Sequence, residues 1–301
     1  MMRFRTRYHL ASSGLVLLLA ATGASAAPYQ LRFGYLSNGS LGDAAEKDAA
    51  AALSIWGKEI SSDYTDNITP RAVGFPKPAE LAAATLSGEV TLMLMDSYYY
   101  LTLKSCASIP PTVVQSSNGT STVAYVVLVR RKAGIHSLAQ LSRRTIEIGN
   151  RTSQILPAVW LDTALHQNKL PAARGFFRSA RNAANASKAM LDVFFGSADA
   201  CVVTTRAFAQ ATELNPQLGQ QLQVLKTSGR YLEQVACISP RAPQSIRKTI
   251  LAGAFSLHRK PRGRQILALF GNQRVVPYQP AVLNETRSLI RAYQAGGGRP
   301  R

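Results

Sequence analysis

The chain has 301 residues, a hydrophobic fraction of 46% and a formal net charge of +19. This hydrophobic content is ordinary for a globular protein and excludes a disordered chain. The basic residues are not interleaved with aromatic side chains, which argues against nucleic acid. The charge leaves three interpretations open, namely an anionic ligand, an acidic membrane surface or solvated basic faces.

The first 26 residues have the pattern of a secretory signal peptide. Arg3, Arg5 and Arg7 precede the apolar stretch LASSGLVLLLAATG, and Ala24-Ser25-Ala26 is a small-residue cleavage site. We therefore expect cleavage near Ala26 and a mature protein in the periplasm. Beyond this segment no run approaches the ~18 apolar residues that a membrane-spanning helix needs.

Strands and helices alternate after the signal. The segments YQLRFGYLS, ITPRAVGF and EVTLMLM predict strands, and DAAEKDAAAALSIWGKEIS and PAELAAATLSG predict helices, the second closed by Gly88. This order predicts an α/β sheet that is mostly parallel and flanked by helices. Ligands collect beyond the carboxyl ends of such strands, so Tyr35, Ser37, Ser97 and Tyr98 are candidate contacts. Packing at a lobe edge is the alternative for the tyrosines.

A second alternation begins with the long strand STVAYVVLVRRKAG. It continues through TIEIG, SQILPAVWLDTALHQN, NASKAMLDVFFG and ADACVVT to the apolar strand QVACISP. After that strand the pattern predicts only helices, at 243–257, 262–270 and 280–294. The whole order predicts two lobes with a cleft between them, one formed by residues 27–123 plus 238–301 and the other by 124–237.

The segment Arg151-Thr152-Ser153 lies between the predicted strand TIEIG and the predicted helix that follows it. Two interpretations are open. A hydroxyl group can simply cap the helix. Alternatively, the helix start, with its unpaired N–H groups and positive dipole end, can hold an anion with the help of the arginine.

Signatures of catalysis are missing from the sequence. It contains no GxSxG, GxxxxGK, GxGxxG after a strand or HExxH motif. His136, His166 and His258 have no metal-ligand spacing, and the acids are scattered rather than paired. The sequence therefore predicts a binding protein rather than an enzyme, without a metal or cofactor.

Three cysteines, Cys106, Cys201 and Cys237, give an odd count for a chain that we expect to enter an oxidising compartment. Cys201 and Cys237 lie in apolar strand-like segments. They can be bridged if those strands are neighbours, or they can be buried free thiols.

Two segments, GIHSLAQLSRRTIEIGNRTSQILPAVWL and FFGSADACVVTTRAF, resemble the periplasmic solute-binding proteins of phosphate, phosphite and phosphonate ABC importers. The features that carry the resemblance are Gly134-Ile135, Ser137-Leu138, Leu141, Thr152-Ser153 with Pro157, and Gly196 with Ala198-Asp199. The resemblance implies a two-lobed periplasmic-binding-protein fold of type II. In that fold each lobe is a mostly parallel sheet flanked by helices, and two hinge strands join the lobes.

The resemblance also implies roles for residues of the second lobe. In the family, hydroxyls at the positions of Thr152-Ser153 hold phosphonate oxygens, and Arg151 adds a cation here. Asn185 and Ser187 flank the position of a histidine that is usual in phosphonate-binding members. Arg206 stands near the position of an acid that in some members pairs with a ligand amine, which favours a purely anionic ligand.

We therefore predict an exported, monomeric solute-binding protein that captures a small oxyanion or phosphonate-like ligand for an ABC permease. The alternative is a sensory or accessory module that presents its closed form to a membrane receptor such as a histidine kinase. Neither role involves nucleic acid. The predicted ligand contacts are Arg151, Thr152, Ser153, Ser97, Tyr98, Tyr35, Ser37, Asn185, Ser187 and Arg206.

Overall fold

The computed structural model describes residues 28–37, 46–61, 68–149 and 155–298. The predicted signal peptide, residues 1–26, lies outside these ranges. Within them, no helix combines the length and the apolar character that crossing a membrane requires. The described chain forms two β-sheets that are flanked by helices.

The first sheet contains strands from both ends of the chain. These are β1 (Tyr29–Leu36), β2 (Ile68–Phe75), β3 (Leu92–Asp96), β4 (Val113–Ser116), β10 (Gln234–Ile238) and β11 (Arg274–Pro277). Their order is β11-β4-β10-β3-β1-β2. β1 pairs in parallel with β2 and β3, whereas β10 runs antiparallel to β3 and β4, and β11 runs antiparallel to β4.

The second sheet is formed by the middle of the chain. Its strands are β5 (Val123–Arg130), β6 (Thr145–Ile148), β7 (Ser179–Asn182), β8 (Ala200–Thr204) and β9 (Leu222–Tyr231). They lie in the order β7-β6-β8-β5-β9. β6 pairs in parallel with β7 and β8, and β5 pairs antiparallel with β8 and β9.

The helices of the first part of the chain are α1 (Glu46–Ser61), α2 (Pro78–Ser87), α3 (Ser97–Thr102), α4 (Leu156–Gln167), α5 (Ala173–Phe176) and α6 (Ala186–Phe195). The later helices are α7 (Thr205–Leu214), α8 (Pro216–Gln221), α9 (Gln244–Ser256), α10 (Pro261–Leu269) and α11 (Asn284–Ala295). As predicted, α2 ends at Gly88, which has a φ of +86°. Glycine adopts this left-handed conformation without the steric cost of a Cβ.

Two short segments join the sheets. Residues 117–122 lead from β4 into β5, and Leu232 and Glu233 lead from β9 back into β10. We call them the first and the second crossing segment. The first segment contains a tight turn in which Ser117 and Thr120 exchange backbone hydrogen bonds of 2.9 and 3.1 Å. We propose that the second lobe boundary lies at Leu232–Glu233, since β10 pairs along its length with β3 of the first sheet.

The carboxyl-terminal helix α11 returns to the second sheet. Leu289, Ile290 and Tyr293 of α11 share a hydrophobic cluster with Val159 and Trp160 of α4. The first sheet has its own clusters on its two faces. The helix that we assigned to the first lobe from its position in the chain therefore packs on the helix layer of the second sheet.

The two-lobed α/β fold is confirmed, and the sheets are mixed rather than mostly parallel. β5 and β10, the strands that follow the two crossing segments, enter their sheets from the opposite direction to the strands of the βαβ units, which makes them antiparallel to β8 and β3. One prediction is wrong, because the chain after Pro240 is not only helical. The short strand β11 pairs with β4 through residues 274–277.

All three cysteines lie in the described chain, and all are free and buried. Cys201 belongs to β8 of the second sheet and Cys237 to β10 of the first. Their strands are therefore not neighbours, which excludes the bridged alternative.

Candidate functional site

A cavity of about 830 Å³ lies between the two sheets. Its first wall comes from the first sheet and the turn after α10, through Gln115, Gln234 and residues 270–272. Its second wall comes from the second sheet, through Gly149 and the starts of α6 and α7. The two crossing segments close its base. We call this space the interlobe cavity.

The start of α6 forms one part of the second wall. The Asn185 side chain caps this helix by accepting a hydrogen bond of 2.8 Å from the backbone N–H of Lys188. Gly149, at the end of β6, lets the helix approach closely, because a Cβ there would lie 2.6 Å from the Cβ of Ala189. Asn185, Ala186 and Gly149 line the cavity. The positive end of the α6 dipole therefore faces this space.

The start of α7 forms the neighbouring part of the second wall. Thr204 caps α7 by accepting a hydrogen bond of 3.0 Å from the backbone N–H of Ala207. Residues 204–207 line the cavity, so a second helix start faces it. Arg206 also reaches across to the first wall, where its Nη1 donates to the carbonyl oxygen of Gly271 at 2.9 Å. Arg206 thus links the two walls.

Arg230, at the end of β9, supplies a second cation to the cavity lining. Its guanidinium group donates to the hydroxyl groups of Thr120 and Thr122 at 3.1 Å each, and to the carbonyl oxygen of Thr122 at 2.9 Å. These bonds attach β9 to the first crossing segment. They also fix the guanidinium position, which reduces the entropy that an incoming anion would have to overcome.

A carboxylate faces the same cavity from the second crossing segment. Glu233 lines the cavity, and its Oε1 accepts a hydrogen bond of 2.8 Å from the Tyr125 hydroxyl group. Burial raises the pKa of Tyr125 well above its usual value, which keeps the hydroxyl protonated as a donor. The charges at the cavity are therefore of both signs, with the arginines on the second wall and the acid at the base.

Asp96 lies at the end of β3 and is only 2% exposed. Its Oδ1 accepts a hydrogen bond of 2.7 Å from the backbone N–H of Tyr98. Burial and the charge of Glu233 raise the pKa of Asp96 to about 7, although hydrogen bonds from the backbone N–H groups of Tyr98 and Ile155 act in the opposite direction. Because Ile155 directly precedes α4, Asp96 connects the first sheet to the second lobe.

The first wall presents neutral groups. The Asn272 side chain donates to the Gln115 Oε1 at 2.6 Å and to the carbonyl oxygen of Phe270 at 2.8 Å. Gln234 and Ser117 also line this side. Amides can both donate and accept hydrogen bonds, so this wall is suited to a polar ligand of either sign.

The ten predicted contacts fall into three groups. Asn185, Ser187 and Arg206 line the interlobe cavity. Arg151, Thr152 and Ser153 lie outside the described residues. They stand in the sequence between Gly149, which lines the cavity, and Ile155. Tyr35, Ser37, Ser97 and Tyr98 are not among the lining residues of this cavity.

The placement of the last group has a physical reason. Ser97 and Tyr98 are buried where the second crossing segment covers the end of β3, and the Ser97 hydroxyl donates to the carbonyl oxygen of Leu232 at 2.5 Å. Tyr98 packs in the same cluster as Tyr125 and Trp160 of the second lobe. Tyr35 is buried in the core of the first sheet, and the half-buried Ser37 donates its backbone N–H to Phe75.

Sequence reasoning missed several residues of this region, among them Arg230, Glu233 and Gln115. Arg230 and Glu233 flank the end of β9, a strand that the hydrophobic pattern did not predict. Gln115 lies on the short strand β4, which was also not predicted. The sequence contains only an indirect signal for these residues. The chain has to return from the second lobe to the apolar strand QVACISP, so the connecting segment has to pass the cleft.

The sequence profile of one protein family matches residues 68–283, and that family is described as the periplasmic substrate-binding protein of phosphonate ABC transporters. The match spans more than half of the chain. The chain belongs to this family. Its members are substrate-binding proteins of transport systems. No curated protein sequence matches the chain.

Several solved structures share the fold of this substrate-binding protein. A Xanthomonas citri protein bound to ATP has 15% sequence identity and a TM-score of 0.65, over 90% of this chain and 99% of that one. The binding component of a phosphonate ABC transporter from Pseudomonas aeruginosa has 14% identity and a TM-score of 0.63, over 90% and 88%. PhnD1 from Prochlorococcus marinus, in complex with methylphosphonate, has 13% identity and a TM-score of 0.61, over 89% and 99%. At such identities the likeness establishes the fold alone.

Proposed function

We propose that this substrate-binding protein captures a small oxyanion-containing ligand in the interlobe cavity and passes it to an ABC permease. The observation that carries the proposal is the second wall. Two helix starts, at Asn185 and Thr204, and two arginines, Arg206 and Arg230, line the same side of one cavity. Helix starts and guanidinium groups are the protein groups that bind phosphate-like oxygens most readily.

The expected affinity follows from a few such contacts. A charge-assisted hydrogen bond contributes roughly 1.5–3 kcal/mol, and a helix start adds about 0.3–1 kcal/mol. Three or four contacts, after the costs of association, correspond to a dissociation constant on the order of a micromolar.

The ligands of two structural neighbours agree with this chemistry. ATP and methylphosphonate, bound by the Xanthomonas and Prochlorococcus proteins, both carry negatively charged oxygens on phosphorus. The cavity of about 830 Å³ lies in the range of sites for ligands larger than methylphosphonate. We therefore include both small and large phosphorus oxyanions in the ligand class.

A thermal-shift panel at low salt tests the proposal. The panel contains phosphate, phosphite, methylphosphonate, ATP, sulfonates, molybdate and carboxylates. We expect at least one phosphorus oxyanion to raise the Tm, since a ligand that binds only the folded state stabilises it. A panel in which no oxyanion shifts the Tm would reject the proposed ligand class.

The sequence-based part of the site has its own test. We propose that Arg151, Thr152 and Ser153 contribute to the same anion site. The double variant Arg151→Ala, Thr152→Ala should then lose the oxyanion-induced Tm shift. A shift of unchanged size would favour the capping interpretation of this segment.

The receiving complex and the location are further parts of the proposal. Membership of the family supports an ABC importer as the receiver, and a membrane sensor is the competing receiver. Reconstitution of the liganded protein with its permease should stimulate ATP hydrolysis. Amino-terminal sequencing of the exported protein should show cleavage near Ala26, and size-exclusion chromatography should show a monomer.

A further inference from the structure

A group of arginines lies on the first lobe around the starts of α10 and β11, and none of them lines the interlobe cavity. Arg259 lies just before α10, Arg262 and Arg264 lie in the first turns of α10, and Arg274 begins β11. All four are exposed. Arg264 donates to the carbonyl oxygen of Arg259 at 3.2 Å, which holds those two residues together. We call these four residues the basic face.

Acidic side chains do not compensate the basic face within the described chain. None of its four arginines forms an ion pair with a described residue, whereas the neighbouring Lys260 contacts Glu59. The first turn of α10 contains no acid. From residue 241 to the carboxyl terminus the sequence has twelve Lys and Arg residues and one acid, Glu285.

The neighbouring histidine responds to this uncompensated charge. Burial lowers the pKa of His258 below its usual value, and the charges of Arg274 and Arg259 lower it further. Both arginines therefore act on the same small region. In addition, Arg262 and Arg264 lie at the positive end of the α10 dipole, where a cation destabilises the helix. A local arrangement that costs stability without compensation is a mark of a functional surface.

An exposed apolar side chain accompanies these cations. Leu269 of α10 is 70% exposed. It follows Arg262 by seven residues, which is about two helical turns, so the two side chains lie on the same side of α10. Arg264 follows Arg262 by two residues and therefore points to another side of α10, so Arg262 is the α10 arginine that shares the side of Leu269. A cation beside an exposed leucine is typical of a segment that lies on an anionic lipid surface.

We propose that the basic face, together with Leu269, docks this binding protein on a membrane surface that contains anionic phospholipids. Its charge complements the lipid phosphates, and Leu269 enters the apolar boundary of the headgroup layer. The turn after α10, residues 270–272, forms part of the first wall of the interlobe cavity. Docking through α10 therefore holds the cavity within about one helix length, roughly 13 Å, of the lipid surface.

Vesicle co-sedimentation tests this docking with the purified protein. One set of vesicles contains phosphatidylglycerol and phosphatidylcholine in equal amounts, and the other contains phosphatidylcholine alone. We expect binding to the anionic vesicles at low salt and release as the salt concentration rises. Each arginine contributes about fivefold to the partition coefficient, so R259Q/R262Q/R264Q/R274Q should bind several hundredfold more weakly. Leu269→Ala should weaken binding several-fold at all salt concentrations.

The matched control removes the same number of charges elsewhere. Lys132, Arg174, Lys226 and Arg291 are exposed, lie on four other elements and form no ion pair with a described residue. The variant with all four replaced by Gln should keep most of the vesicle binding. Equal losses in the two quadruple variants would overturn the proposal, because binding would then follow net charge alone.

Two further outcomes separate the alternatives. Absence of wild-type binding to anionic vesicles would also overturn the proposal and would favour an acidic protein surface as the partner. The basic-face variant should keep its folded circular dichroism spectrum, and its Tm should not fall, since the four arginines form no ion pair with a described residue and two of them lie at the positive end of the α10 dipole. Its oxyanion-induced Tm shift should also be unchanged, which makes this test independent of the proposed ligand site.

Discussion

The two walls of the interlobe cavity differ in the groups that they present. The second wall has two helix starts and two arginines, and each helix start is capped by its own side chain, Asn185 or Thr204. The first wall has side-chain amides and the backbone of residues 270–272. The second wall therefore carries the groups that the proposed anionic ligand would contact, whereas the first wall carries neutral groups. Arg206, which donates to the carbonyl oxygen of Gly271, is the direct link between them.

The largest effect is expected at the junction between the two lobes. The pKa of Asp96 is raised to about 7, so the folded protein binds a proton that the unfolded chain releases near pH 4. The stability from this group is complete at acidic pH and is lost as the pH rises through 7. Asp96→Asn keeps an oxygen that can accept from Tyr98, and it should remove this pH dependence.

Urea unfolding between pH 5 and pH 8.5 measures this effect. The wild-type free energy of unfolding should fall with pH relative to that of Asp96→Asn, by roughly 3 kcal/mol between pH 5 and pH 8.5. Parallel pH profiles for the two proteins would contradict the assignment. Asp162→Asn provides a control at a carboxylate that accepts from the backbone N–H of Ala173 at 2.8 Å.

The next effect breaks the second wall and compares it with the first. Arg206→Gln with Arg230→Gln removes the two arginines that line the cavity within the described part of the chain, and we expect a loss of affinity for the best phosphorus oxyanion of about a hundredfold. Gln115→Ala with Asn272→Ala removes only neutral contacts, so the loss should stay below about tenfold. Isothermal titration calorimetry measures both. Equal losses of affinity in the two double variants would mean that both walls contribute equally to binding the anion.

A third test acts on the close packing behind the second wall. Gly149→Ala places a Cβ against Ala189 and Val203, so α6 has to move, and we expect a loss of stability of about 1–3 kcal/mol. Gly175→Ala is the matched control, because a Cβ there meets no atom within 4 Å. Thermal unfolding of both variants decides the point, and similar Tm values would show that α6 is loosely held.

The smallest effect concerns the helix caps. Asn185→Ala and Asn215→Ala each remove a side chain that caps a helix, and each should cost about 1 kcal/mol of stability. Asn185 lines the cavity and Asn215 does not. Oxyanion affinity should therefore fall only for Asn185→Ala. A similar fall in both variants would indicate a general effect of stability on binding.

The fold was largely predictable because its βαβ units have strong periodicity. The apolar strands β3, β5 and β8 are buried almost throughout and contrast clearly with their helices. β9 was not predicted, because it lies at a sheet edge and its exposed positions carry residues such as Lys226 and Thr227. β11 has four residues and gives too short a pattern to detect.

The site was less predictable than the fold. The ends of β6 and β8 lead to the cavity, at Gly149 and Arg206, as expected from the position of ligand sites in such sheets. The same rule for β1 and β3 selected Tyr35, Ser37, Ser97 and Tyr98, which do not line this cavity. The reason is a tertiary contact, since the crossing segment at Leu232 and the second-lobe aromatic Tyr125 cover the end of β3. No local sequence pattern indicates this contact between distant parts of the chain.

The three free cysteines have a consequence for handling the protein. Burial raises the pKa of Cys106 to about 11 and raises the pKa values of Cys201 and Cys237 above the usual range. At neutral pH the reactive thiolate form of Cys106 is therefore present in roughly one molecule in ten thousand. Alkylating reagents should leave the native protein unmodified and label it only when a sheet opens. Cys201 then reports on the second sheet, and Cys237 on the first.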